Sequence, residues 1–199
     1  IYGAENLLLE RAVSRDVGER LIGLLEWWDD YTSNEPQGFD NNPSPGNKAG
    51  GLTTILEKSL GAVAKGGTTN LVEVYGYGQP VDKRGLVFMD SPGFDPMSAT
   101  GQVAGGANLI AFTTGRGSCF GCRPAPSIKL ATNSAMFARM EEDMDINCGA
   151  ILDGEASIDE MGEAIFREML ATASGKPTKS ELLGYGDDEF APWHVNAWL

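Results

Sequence analysis

Residues 85–114 read GLVFMDSPGFDPMSATGQVAGGANLIAFTT, two short apolar runs on either side of a small-residue segment. The runs 85–90 (GLVFMD) and 108–114 (NLIAFTT) have strand composition, while 95–107 (DPMSATGQVAGGA) reads as a helix of small residues. Strand, helix, strand, with both strands continuously apolar, predicts parallel strands buried on two faces. A third run, SIKLAT at 127–132, continues the pattern. The expected fold class is α/β.

Working outward, residues 5–31 carry Leu8, Leu9, Ala12, Val13, Val17, Leu21, Leu24, Leu25 and Trp28 near helical spacing. This predicts one long helix, or two joined near Gly18. The polar, breaker-rich stretch Thr32–Asn47 predicts a loop, and a second helix is expected from about Leu52 to Gly66–Gly67. Ser157 and Glu160 form a capping box ahead of Ile158, Met161, Ile165, Phe166, Met169 and Leu170, with Gly175 as the stop. Three strands are few for an α/β sheet. Either a further strand lies near 71–75, or a preceding N-terminal region supplies the rest. The start at Ile1, without Met, suggests a fragment or processed product.

The 199 residues are 42% hydrophobic, with 26 glycines and 10 prolines scattered between apolar runs, which suits one principal, loop-rich domain. A net charge of −13 argues against general attraction to nucleic acid or anionic lipid. No apolar run approaches the roughly 20 residues that span a bilayer, and no signal peptide is visible. The expected location is cytoplasmic, in keeping with three cysteines that make no disulfide framework. A homo-oligomer is compatible with the sequence.

In open parallel sheets, ligands bind beyond the carboxyl ends of strands. Three loops occupy such places: DSPGFDP, TGRGSCFGCRPAP and TNSAM. They are expected to converge. TGRGS matches neither the phosphate-binding loop nor the dinucleotide fingerprint, because Phe120 stands where each needs glycine. What remains is a strand end with exposed N–H groups, Thr113, Thr114 and Arg116, which suits a carboxylate. The plain alternative is a tight turn with a surface arginine. Cys119, Cys122 and Cys148 suffice for an iron–sulfur cluster with one open iron, or are small buried cysteines lining a loop. The acidic run MEEDMDIN (140–147) offers oxygen donors, of which Asp145 and Asn147 are the best candidates for a hard cation. His194, the single histidine, sits beside Trp193 and reads as packed.

Taken together, NNPSPGNKAGGLTTILEKSLG (41–61), FTTGRGS (112–118), KLATNS (129–134) and DMDINCG (143–149) resemble the C-terminal catalytic region of the altronate/galactarate dehydratase family, from about Asn41 to about Gly175. The resemblance implies a Rossmann-like, mainly parallel sheet with flanking helices. Residues 1–199 would be the C-terminal part of a sugar-acid dehydratase catalytic domain. It also implies dehydration of a sugar acid, altronate first and galactarate second, to a 2-keto-3-deoxy acid, with a divalent metal, Fe²⁺ ahead of Mn²⁺ or Mg²⁺. A sulfolactate-eliminating relative belongs to the same family. After GRG the altronate dehydratase pattern often reads Thr-Pro-Phe-Gly, whereas Ser118-Cys119-Phe120-Gly121-Cys122 stands here. That difference weighs against an obligatory three-cysteine cluster.

On this reading the Arg116 side chain and the N–H groups of Gly115, Arg116, Gly117 and Ser118 hold the substrate carboxylate or its enediolate, with Thr113 and Thr114 beside them. Asn42, Ser44, Asn47 and Lys48 would bond the sugar hydroxyls, and Lys129 and Asn133 complete the polar lining. Lys48 or Lys129 is the expected general base, if burial lowers its pKa. Metal donors are expected among Asp145, Asn147, Cys119, Cys122 and Cys148. The competing classes are a non-catalytic sugar-acid or anion-binding module and a zinc- or cluster-binding structural protein.

Overall fold

Leu71 decides where the first helical pattern breaks. A computed structural model describes residues 1–33 and 42–195, in two compact units, Ile1–Asp90 and Ser91–Leu199. Residues 34–41, including part of the expected loop and Asn41 at the start of the family resemblance, lie outside the described residues.

In the first unit the long helical pattern divides into α1 (Asn6–Leu9) and α2 (Arg15–Ser33), so the joint lies at residues 10–14 rather than near Gly18. Ala12 forms a parallel bridge with Leu71. The Leu71 N–H donates to Arg11 O at 2.8 Å, and the Val13 N–H donates to Leu71 O at 3.0 Å. Arg11 then donates to the carbonyls of Gly66 and Thr69. Strand-like bonds to a distant residue replace helical ones, a tertiary override that local periodicity does not report. Ser14 Oγ accepts from the Val17 N–H and starts α2.

The expected loop contains a short helix, α3 (Pro45–Ala49), with Pro45 in its first turn. The next helix, α4 (Ile55–Ala64), begins three residues later than Leu52. Thr54 caps it, while the Glu57 carboxylate accepts from the Thr53 N–H and hydroxyl at 2.8 Å each. The further strand expected near 71–75 is β1 (Leu71–Tyr75), paired in parallel with β2 (Leu86–Met89). Leu8, Val17, Leu21, Val63, Leu71 and Val74 form this unit's core. The largely buried Glu73 is paired with Arg20 at 2.6 Å.

The second unit runs α5 (Asp95–Ala104), β3 (Ile110–Thr114), β4 (Ser127–Ala131), α6 (Ser134–Arg139), β5 (Ile146–Asn147), a 3₁₀ turn (Cys148–Ile151), α7 (Ile158–Ala173) and α8 (Lys179–Leu182). Its sheet has the order β3-β4-β5 and is parallel throughout. The α/β class is thereby observed. The two strands flanking α5 do not share a sheet, however: β2 pairs with β1, and β3 with β4. Their burial follows position. Every residue of the central β4 is buried, whereas β2 and the edge strand β3 are partly exposed.

The capping box of α7 is present, and Gly175 stops the helix at φ +102°. Its apolar side is another matter. Met161 is buried, but Ile158, Phe166 and Leu170 are 74%, 55% and 53% exposed. Among the described residues no helix is long and apolar enough to cross a membrane.

Two features hold β4 in place and are testable. Asp145 Oδ2 accepts from the Lys129 N–H at 2.7 Å, and its Oδ1 from the Lys179 N–H at 2.9 Å, tying β4 to α8. Gly149 packs against the start of α6, where a Cβ would overlap the Ser134 nitrogen and lie 2.5 Å from the Asn133 carbonyl carbon. Gly149→Ala is expected to lower unfolding free energy by about 3 kcal/mol, because backbone must move; urea denaturation checks this.

Lys129 is 0% exposed, and its Nζ has no hydrogen-bond partner among the described residues. Burial pushes the amine below its ordinary 10.5, against the opposing pull of Asp145, Asp143, Cys119 and Glu189. Between the lowered folded value and 10.5 the unfolded chain holds the extra proton, so stability rises with pH across that window. Lys129→Met is expected to remove this slope and to stabilise the fold at neutral pH by about 1–3 kcal/mol. Denaturation curves at stepped pH measure both.

Candidate active site

Where β3 ends, Thr114 turns the chain. Its Oγ1 accepts from the Arg116 N–H at 3.3 Å and the Gly117 N–H at 3.1 Å. Gly117 has φ +94°, and its missing Cβ leaves room for the Met140 side chain. Further along, Ser118 Oγ accepts from the Phe120 N–H at 3.0 Å, and Glu189 Oε2 from the Gly121 N–H at 2.9 Å. Two of the N–H groups expected to face an anion, those of Arg116 and Gly117, thus point back at their own strand end.

β4 and β5 bring their ends to the same place. The Thr132 hydroxyl donates to Thr114 O at 3.3 Å. Asn133 Oδ1 accepts from the Met136 N–H at 2.8 Å, capping α6, while its Nδ2 donates to Gly115 O at 3.0 Å. Asn147 Nδ2 donates to Ser134 Oγ at 2.9 Å, and Ser134 donates to Asp153. At the far end of α6, an Arg139 Nη donates to Arg116 O at 3.2 Å. One short helix therefore holds two consecutive carbonyls of the loop, one from each end.

The cations of this unit differ in their pairing. Arg123, further along the same loop, pairs with Asp187, and elsewhere Arg167 pairs with Glu163 and Lys176 with Glu168. Arg116 and Arg139, both exposed, form no ion pair among the described residues. In a chain of net charge −13, two arginines without a carboxylate partner, one bonded through its side chain to the backbone of the other, offer a site for an anion from solution.

The expected residues divide by unit. Thr113, Thr114, Gly115, Arg116, Gly117, Ser118, Lys129 and Asn133 lie in the second, on β3, β4 and the loops at their ends. Lys129 pairs in register with Phe112, on the face that carries the Phe112–Phe120 stack, with ring centroids 5.2 Å apart. Asn42, Ser44, Asn47 and Lys48 lie in the first unit, around α3. There Asn42 accepts from Lys58 Nζ at 2.7 Å.

The metal donors do not assemble. Both Asp145 oxygens are taken by backbone N–H groups, and Asn147 Oδ1 accepts from the Gly149 N–H at 3.0 Å. Cys119 is exposed while Cys122 is buried beside Phe120 and Ala125, so the two thiols of the C-x-x-C face different surroundings. Burial pushes the Cys122 and Cys148 thiols up, away from the thiolate a metal requires. Among the described residues no group of three or more His, Cys, Asp or Glu side chains is placed to hold a metal ion. In this arrangement the residues do not fit a divalent ion or an iron–sulfur cluster.

Arg139, Thr132, Ser134 and Asp153 are absent from the sequence expectations. Asn133-Ser134 did carry a helix-start signal, and counting one and a half turns onward from it reaches Arg139.

A family model described as "D-galactarate/Altronate dehydratase, C-terminal" matches residues 1–197. The chain is 44% identical to galactarate dehydratase (L-threo-forming) of Escherichia coli over 176 residues, which is 88% of this chain and 34% of that protein. It is 32% identical to altronate dehydratase of Bacillus subtilis over 91% of this chain and 36% of the relative. It is also 32% identical to (2R)-sulfolactate sulfo-lyase subunit beta of Chromohalobacter salexigens, over 93% of this chain and 48% of the relative. The chain spans about a third of the length of the dehydratases it matches. Parallel strands with Arg116 and Arg139 near their ends, neither ion-paired among the described residues, thus occur in a chain that belongs to the D-galactarate/altronate dehydratase family and matches its C-terminal part.

Proposed function

We propose that the chain is part of a hydro-lyase that removes water from a sugar acid to give a 2-keto-3-deoxy acid, with galactarate as the substrate. The observation that carries this reading is the exposed Arg116, without an ion pair among the described residues, at the converging strand ends of a family member. Identity of 44% to a galactarate dehydratase, against 32% to an altronate dehydratase, moves the expected substrate from altronate to galactarate.

Dehydration removes a weakly acidic proton beside a carboxylate, expels the β-hydroxyl as water, and leaves an enol that tautomerises to the ketone. The carboxylate carries extra negative charge as the proton leaves, so a cation fixed beside it favours the transition state over the ground state. Arg116 takes that role. Lys129 is the proton acceptor: its amine is unpartnered and its pKa is lowered by burial, which raises the neutral fraction that a base requires. Lys129 is 0% exposed, so substrate reaches its amine only when the chain around it moves. Lys48, in α3, is the second choice.

A divalent ion, Fe²⁺ first, belongs to the proposed enzyme through the family resemblance alone. The partner is a small molecule in the cytoplasm, with no role for nucleic acid.

The test is an anaerobic assay of the full-length parent against galactarate, altronate and sulfolactate, with and without added Fe²⁺, Mn²⁺ or Mg²⁺. Keto acid from galactarate is the expected result. Sulfite from sulfolactate would move the protein to the sulfo-lyase branch, and ligand-dependent stabilisation without product would make it a binding module. Arg116→Ala is expected to lower kcat/KM at least about 100-fold, and Lys129→Met to lower kcat by a similar factor. Near-normal turnover by either variant rejects that residue's role.

A further inference from the structure

We propose that Arg139 is a second guanidinium of the anion subsite whose first is Arg116, holding the carboxylate end of the substrate while its charge grows. This rests on the reading of the strand ends as a sugar-acid site. Thr114 Oγ1 occupies the N–H groups of Arg116 and Gly117, so the turn itself supplies less positive potential than its glycines suggest. The missing donors must come from side chains. Arg139 is at hand: it ends α6, donates one N–H to Arg116 O at 3.2 Å, and keeps its remaining donors.

Its place is fixed from several sides. Asn133 holds Gly115 O from the start of α6, and Met140, the residue after Arg139, packs where Gly117 lacks a Cβ. Both arginines stand without an ion pair among the described residues, so the charge of each is open to an anion from solution. One guanidinium pairs with a single carboxylate through two N–H bonds. A second suits the dianion formed when the adjacent proton leaves.

The experiment uses the full-length enzyme with Arg139→Gln, Arg139→Lys and Arg116→Gln. It reads kcat and KM with galactarate at fixed ionic strength, and the rise in melting temperature caused by inorganic sulfate as an anion probe. Arg139→Gln is expected to lower kcat/KM about tenfold or more, mostly in kcat. It should also abolish most of the sulfate shift without changing the melting temperature in sulfate-free buffer. Arg139→Lys should restore part of both, which a purely structural role would not require. Wild-type kcat/KM and an unchanged sulfate shift in Arg139→Gln overturn the inference. If Arg116→Gln is impaired and Arg139→Gln is not, Arg139 alone is refuted. If neither is impaired, the strand-end site itself fails. Should galactarate not react at all, the sulfate shift still decides on Arg139.

Discussion

The amide of Asn133 joins what the rest of the site depends on. Its oxygen starts α6 by accepting from the Met136 N–H, and its nitrogen holds the Gly115 carbonyl at the end of β3. Both bonds are needed at once, so the direction of α6 and the path of the loop are set by a single planar group. A side chain that only capped the helix would leave the loop without its anchor. Aspartate, which has no N–H to donate, lacks the second half of this geometry.

From that joint the chemistry follows in order. β4 is central and wholly buried, so the ammonium form of its lysine is disfavoured by desolvation even with carboxylates acting on it. β3 is an edge strand, and the loop that leaves it reaches solvent, where Arg116 is exposed. One three-stranded sheet therefore sets a buried amine and an exposed guanidinium in different environments, the two that the proposed roles require.

Much of this was legible in the sequence, and the rest has identifiable reasons for being hidden. The capping box of α7, the runs that became β3 and β4, and the cluster of polar residues at their ends all rest on local pattern. The break at residues 10–14 rests on Leu71, about sixty positions away, and no window of periodicity contains both. β5 has only two residues, too few to show alternation. The convergence of Arg116 and Arg139 depends on how α6 turns back, and the use of the loop N–H groups depends on the orientation of one threonine hydroxyl. The metal donors looked plausible by residue type, but hydrogen bonding commits Asp145 and burial separates the cysteines. The apolar positions of α7 were legible as a periodic stripe, but their exposure was not, because periodicity does not report what lies against a stripe.

That uncovered stripe has a practical meaning for colloidal behaviour. Ile158, Phe166 and Leu170 stand in water on a chain whose net charge is −13, and mutual repulsion between copies keeps such surfaces apart. Salt screens that repulsion over about 10 Å at 0.1 M. The same screening weakens any anion held by exposed arginines. Ionic strength therefore acts on this molecule in two ways, easing contact between copies through one helix and weakening the proposed anion capture at one loop, so dilute buffer opposes the first and favours the second.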